Sequence, residues 1–162
     1  MFASPDLKLG WIAVSGNGAA IEDAVDTLEI ANDMFLNCNS FSQFLLPTLF
    51  DNGAAFQRDM VERLDRSRSV LVERVDAIDG ARMTEPNGGI HCIIELDGYG
   101  RWDDEQFAIE LLRRKRVFVH PGYLYGIDTA LCVVVSFLRE HSALCAGMDA
   151  FADFVAATRG DV

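Results

Sequence analysis

The side chains that could carry chemistry are few and scattered along the chain. The three histidines, His91, His120 and His141, read as isolated residues, and the four cysteines, Cys38, Cys92, Cys132 and Cys145, show no C-x-x-C spacing. Zinc-type centres need three or four such ligands converging on one point, so no metal site is expected. Cys92 and Cys132 stand in apolar, strand-like runs beside Ile93 and Val133, the setting of reduced, buried thiols that behave as small hydrophobes. Lysines are fewer still: Lys8 and Lys115 are the only two in 162 residues. Any covalent chemistry through a lysine amine is confined to those two positions.

Charge narrows the partners. Acids outnumber bases 25 to 14, for a net charge of −11, and a nucleic-acid surface needs the opposite, clustered Lys and Arg. The one basic run, Arg113-Arg114-Lys115-Arg116, falls in the last turn of a predicted helix, where cations complement the negative end of the dipole. No stretch approaches the roughly 18 consecutive apolar residues of a membrane span, and no charged-then-apolar leader opens the chain, so a cytoplasmic location is expected. With 50% hydrophobic and 24% charged residues, the length suits one packed domain or a domain plus a remnant.

The elements that must position these residues follow from periodicity. Leu9 to Val14 is a short apolar run closed by Ser15-Gly16-Asn17-Gly18 and reads as a buried strand and turn. Ile21, Ala24, Val25, Leu28, Ile30 and Met34 then fall near helical spacing, with Glu22, Asp23 and Asp26 in the first turns. Asn37 to Ser40 breaks that pattern, and Asn39 or Ser40 can cap a second helix through Phe44, Leu45 and Leu49, kinked or restarted at Pro47. The longest helix runs from about Asp51 or Asn52 to Ala77 and turns Phe56, Met60, Leu64, Val70, Leu71 and Val75 to one side. Beyond it come Ala81 to Thr84, a Pro86-Asn87-Gly88-Gly89 turn and a strand from Ile90 to Leu96. Asp103-Asp104-Glu105 opens a helix whose expected core face is Phe107, Ile109, Leu111 and Leu112; strands follow at Val117 to Val119 and Leu131 to Phe137, and a helix at Ala143 to Ala157. The order implies an α/β or α+β fold in which helices cover a mixed sheet.

Five landmarks in this order carry a resemblance across nearly the whole chain: Pro5-Asp6-Leu7-Lys8-Leu9-Gly10-Trp11, Asn37 to Gln43 with Leu45-Leu46-Pro47, Glu85-Pro86-Asn87-Gly88-Gly89-Ile90, Val117-Phe118-Val119-His120-Pro121-Gly122-Tyr123, and Val134-Val135-Ser136-Phe137-Leu138. Together they resemble the C-terminal part of pyridoxal-phosphate-dependent aminotransferases of class I/II, fold type I. In that family the Schiff-base lysine precedes the phosphate-holding basic residue by eight positions; counting back from Lys8 lands one place before Met1. The resemblance therefore implies a chain that begins just after the lysine. Residues 1–50 would be a strand-helix remnant of the cofactor-binding large domain, and residues 51–162 the C-terminal small domain.

The same resemblance assigns the site residues. Lys8 would give one cation to the cofactor phosphate, as a point charge without arginine's two-pronged geometry. Asn39 and Ser40 would reach the cofactor across a dimer interface. No catalytic residue is assigned, and no cofactor is expected to be bound covalently. In the last small-domain strand many relatives carry an arginine that grips the substrate carboxylate; aligning Ser136 with the serine that follows it puts Val134 in its place, with Arg139 nearby. If the strand alternates, Cys132, Val134 and Ser136 share one face and Val133 and Val135 the other. The reaction implied for the full-length relative is amino-group transfer between an amino acid and a 2-oxo acid, with this fragment inactive alone. Its expected partner is a missing N-terminal half or a further copy of itself, since the apolar faces of Ile21 to Met34 and Phe41 to Leu49 would otherwise lack cover. The alternative is a stand-alone interaction or assembly module that reuses the small-domain fold.

Overall fold

The valine-rich run Cys132-Val133-Val134-Val135-Ser136 is rich in β-branched side chains that suit a pleated, packed surface, and it forms one of the two inner strands of a four-stranded sheet. The computed structural model describes residues 5–35, 37–98, 102–127 and 131–159. Among these the strands are β1 (Ala81–Thr84), β2 (His91–Leu96), β3 (His120–Pro121) and β4 (Cys132–Ser136), in the order β1-β2-β4-β3. Every neighbouring pair is antiparallel, which corrects the expected mixed sheet. The connections explain it: β1 returns into β2, and β3 into β4, through links with no crossover helix, and such links bring a chain back antiparallel. In the first link Gly89 takes a φ of +81°, a conformation that glycine adopts without steric cost.

Cross-strand register decides which side of the sheet is buried. Cys92 lies opposite Val135 and Ile94 opposite Val133, and these four join Leu96 in the core. Two helices supply much of the rest: α4 (Asp104–Lys115) with Phe107 and Leu111, and α5 (His141–Thr158) with Met148, Phe151 and Phe154. Phe107 meets Phe154 and Phe151 edge-on at centroid distances of 5.2 and 6.0 Å, the geometry favoured by the ring quadrupole. The helix α3 (Ala54–Asp76) adds Leu71 and Val75.

Helix α4 starts on a capping box. The Asp103 carboxylate accepts from the Gln106 backbone N–H at 2.7 Å, and the Gln106 side chain accepts from the Asp103 N–H. The helix stops where Arg116 enters the left-handed region at φ 59°. Its buried face is Phe107, Ala108 and Leu111; the expected Ile109 and Leu112 fall outside that arc and are each 42% exposed. A second correction concerns the strand expected at Val117 to Val119. The paired residues are instead His120 and Pro121, opposite Val134 and Val133, while Phe118 is exposed. Pro121, without an N–H, is tolerated because β3 forms the outer edge of the sheet.

The Asp104 carboxylate ties this edge to α4, accepting from the N–H of Cys132 at 2.9 Å and of Tyr123 at 3.2 Å. It thereby holds the 3-10 turn Gly122–Tyr125 against the start of β4. Gly122 is buried in that turn, and a Cβ there would overlap the Cys132 sulfur.

By contact the chain divides into two compact units, Met1–Asp59 and Met60–Val162, with the division inside α3. The sheet and the core described above belong to the second. The first contains a 3-10 turn, Pro5–Leu7, and the helices α1 (Gly18–Asp33) and α2 (Ser40–Asn52). Pro47 lies within α2 without ending it. The strand expected at Leu9 to Val14 does not form: among the described residues no strand pairs with it, and Trp11 and Ile12 are 68% and 75% exposed. A strand needs a neighbour to take up its backbone donors and acceptors.

Two outcomes are expected from this packing. Gly122→Ala should lower stability by about 1–3 kcal/mol through overpacking against Cys132, read as a lower midpoint in urea; an unchanged midpoint would mean that the turn does not rest on that sulfur. Burial also pushes the Cys92 thiol up from 9.0 to about 11. The folded chain then keeps a proton that the unfolded chain releases, so stability is full below pH 9 and falls as the pH rises toward 11. Cys132 is likewise raised to about 11, by burial first and then by the Asp104 and Glu95 carboxylates. Cys92→Ala should therefore remove about half of the alkaline decline, measured by denaturation at a series of pH values.

Candidate functional site

In the first unit one corner gathers the residues singled out for cofactor binding. The 3-10 turn ends at Leu7, whose carbonyl accepts a hydrogen bond from the Ser42 hydroxyl at 2.7 Å. Ser42 is 1% exposed, and its own N–H donates to the Asn39 side-chain oxygen at 2.8 Å, which makes Asn39 the N-cap of α2. These two bonds set the backbone of Lys8 beside the first turn of α2, where Ser40 is the first helical residue. Lys8 itself takes a φ of +47°, a left-handed conformation that costs a side-chain-bearing residue about 1–2 kcal/mol.

The chemistry of such a corner is anion binding. First-turn amides of a helix have no intrahelical acceptor and lie at the positive end of its dipole; a cation on the adjoining turn adds to that field. Asn39 spends its side-chain oxygen on the cap, which leaves the amide NH2 as its donor end. Gln43 pins the preceding loop by donating to the Cys38 carbonyl at 2.9 Å. Next to it lies a cleft of about 550 Å3, lined by Leu9, Gly10, Asn37, Cys38 and Gln43 among others.

In the second unit the alternation of β4 is as expected. Val133 and Val135 enter the core, and Val134 lies on the opposite face, across from Ile93 on β2 and His120 on β3. That cross-strand row, Thr84-Ile93-Val134-His120, contains no lysine or arginine, and Val134 is 5% exposed. His120 is held in turn: its Nδ1 lies 2.7 Å from the Tyr125 hydroxyl and the two rings stack at 6.0 Å, with Phe118 edge-on at 5.2 Å. On the next row Glu95, opposite Cys132, pairs with Arg82 at 3.2 Å. Arg139 is exposed in the link to α5, after Leu138, whose carbonyl accepts from the Arg63 guanidinium at 2.7 Å.

Several contacts escaped the sequence reading. The locking role of Ser42 could have been suspected from its place three residues after an Asn cap, but its acceptor, 35 residues away, could not. His141 and Cys145, read as isolated, stand one helical turn apart with Nε2 and Sγ at 3.7 Å. Two ligands fall short of a metal centre, and the described residues hold no group of three.

The family profile described as "Aminotransferase class I and II" matches residues 1–143. The aspartate aminotransferase of Musicola paradisiaca (strain Ech703) is 28% identical over 97 residues, which is 60% of this chain and 24% of that protein. Among solved structures, an aspartate aminotransferase from Rhodobacter sphaeroides 2.4.1 superposes with a TM-score of 0.75 at 23% identity, covering 87% of this chain and 35% of that one. An alanine aminotransferase from Pyrococcus furiosus gives 0.72 at 22% identity over 86% of this chain and 35% of its own. At such identities the structural likeness speaks for the fold. The chain spans about a quarter of the length of the curated relatives it matches, 24% in the first and 22% in the second. With a profile that takes in all five sequence landmarks and a fold shared with solved aminotransferases, the chain belongs to the class I and II aminotransferase family.

Proposed function

We propose that this chain is the C-terminal portion of a pyridoxal-phosphate-dependent aminotransferase, with residues 1–50 a remnant of the large domain and 51–162 the small domain. The whole enzyme would move an amino group between an amino acid and a 2-oxo acid, and the fragment would be inactive alone. The observation that carries this reading is the corner in which Ser42 holds Leu7, and with it Lys8, to the capped start of α2. The family's cofactor is pyridoxal phosphate, and the donors that would meet its phosphate here are the Lys8 cation, the Ser40 and Phe41 amides and the Asn39 NH2, the Ser42 amide being spent on the Asn39 cap. When bound, that cofactor supplies the electron sink for bond cleavage at the amino carbon. Lys8 would hold the phosphate, while Asn39 and Ser40 would orient it, from their own subunit or across an interface to a second copy.

In this reading neither lysine attaches the cofactor. Lys115 is paired with Asp153 at 3.3 Å on α4 and α5, and Lys8 serves the phosphate in this reading. On the substrate side, Val134 and its row supply apolar contact and no charge, so a carboxylate there must be held by another residue. Among the described residues no helix is long and apolar enough to cross a membrane, and a cytoplasmic location is part of the reading. The second reading, an assembly module, draws on a different observation: α1 buries none of its residues.

Added pyridoxal phosphate should leave no covalent lysine adduct on this chain after borohydride treatment; a stable adduct mapped to Lys8 or Lys115 by peptide mass would overturn the lysine assignment. In an active enzyme made by joining a lysine-bearing half upstream of this chain, Val134→Arg should change the preference among amino-acid substrates by about tenfold or more, the scale of one bidentate carboxylate contact. Arg139→Ala should change it far less. The reverse order in kcat/KM would make Arg139 the carboxylate anchor.

A further inference from the structure

On the outer face of the second unit's sheet, the row Thr84-Ile93-Val134-His120 holds one ionisable side chain, that of His120. Directly opposed antiparallel residues keep their Cβ atoms about 4.5–5.5 Å apart, so the imidazole stands beside Val134, the position at which the arginine of many relatives is missing. The ring is half-buried and braced. Tyr125 stacks on it and brings its hydroxyl 2.7 Å from Nδ1, while Phe118 meets it edge-on. The bond at Nδ1 decides what the other nitrogen offers. When the phenol donates to a neutral ring, the imidazole proton sits on Nε2; when the ring is protonated, Nδ1–H donates to the phenol oxygen and Nε2–H remains. Nε2 thus presents a donor in both states, and among the described residues nothing accepts from it. Two acids of this region are already engaged: Glu95 pairs with Arg82, and both oxygens of Asp104 accept backbone N–H groups.

We propose that His120, positioned by Tyr125, takes the substrate carboxylate in place of the missing arginine, donating to it from Nε2. This rests on the aminotransferase reading, which supplies the carboxylate and turns the outer row toward the substrate. One donor replaces a two-pronged pair, so the grip is looser in orientation than an arginine's. Buried Val134 borders the imidazole, and a hydrogen bond beside apolar groups is less diluted by water. His91 is the rival on the same face, opposite Ser136. It is exposed, and among the described residues no hydrogen bond or ring contact braces it.

The probes are 2-oxobutyrate, which carries one carboxylate, and 2-oxobutanamide, which matches its shape without the charge. Each is titrated into the full chain with isotope-labelled histidine, and the imidazole nitrogen resonances are followed by NMR, with His120→Gln identifying those of His120. The acid should move the His120 Nε2 signal saturably, with an affinity about tenfold or more above that of the amide, the scale of a hydrogen bond to a charged group. Tyr125→Phe keeps the ring and drops the hydroxyl, and it should weaken the acid's titration about fivefold, the scale of one neutral hydrogen bond. In the enzyme joined to a lysine-bearing half, His120→Leu should raise the KM for the amino acid about tenfold with kcat changed less. His120→Gln, which restores an N–H donor, should recover part of that loss. Circular dichroism verifies the fold of each variant, and Tyr125→Phe carries the test where His120→Leu does not fold. The proposal is overturned if the amide titrates as well as the acid, if His91 or His141 responds as strongly as His120, or if Tyr125→Phe changes nothing. A His120 signal that stays fixed up to about 0.1 M acid, far above a millimolar Kd, overturns it as well. So does an active joined enzyme whose KM survives His120→Leu, an outcome that leaves the aminotransferase reading intact. A joined enzyme without transferase activity, beside a His120 signal that still follows the acid, would sink that reading and keep the carboxylate contact.

Discussion

One side of β4 has to be covered, and the rest of the second unit is arranged around that requirement. With a side-chain period of two, burial of Val133 and Val135 fixes the pairing with β2, since a slip of one residue would bring Val134 and Ser136 into the core instead. The aromatic cluster of Phe107, Phe151 and Phe154 fills the covered side. What remains on the other side follows by geometry rather than by choice: Val134 must stand between Ile93 and His120. The phase of that outer row is therefore set by the core behind it.

Asp104 links that core to the edge of the sheet. Lying at the start of α4, it serves the helix dipole, and its two oxygens also take the N–H groups of Cys132 and Tyr123. The position of His120 and its stacking on Tyr125 thus depend on a helix whose other face packs in the core. Gly122 is the space this arrangement needs, because a Cβ there would overlap the Cys132 sulfur. A comparable logic holds the first unit's corner, where one buried hydroxyl bridges a turn and a helix start 35 residues apart.

Local signals were the legible part of the chain. The acidic opening Asp103-Asp104-Glu105 of α4, the Asn39 or Ser40 cap of α2 and the regular spacing of Leu144, Met148, Phe151 and Val155 in α5 announce their helices. The alternation of β4 was readable too, because a run of valines leaves only the phase to decide. What could not be read depends on partners distant in sequence. Leu9 to Val14 has the composition of a strand but finds no strand to pair with among the described residues. The edge strand lay three residues later than its apolar run, at His120 and Pro121, because pairing with β4 and not hydrophobicity decides which residues form the ladder. The Lys8 corner was placed by family likeness; the bond that closes it, from Ser42 to Leu7, has no local signature.

The two-residue edge strand has a consequence for how the sheet meets other chains. Its outer rim holds Pro121, which has no N–H to offer, and the chain leaves at once into the turn beginning at Gly122. A passing extended segment finds no regular row of donors there on which to build another strand. At the opposite rim β1 is only four residues long and carries Arg82, already engaged with Glu95 and Asp97. Shortness, proline and charge are the devices that keep open sheets from growing edge to edge. The sheet of the second unit thus closes both of its backbone edges against indiscriminate pairing, and contacts along its rims fall to side chains.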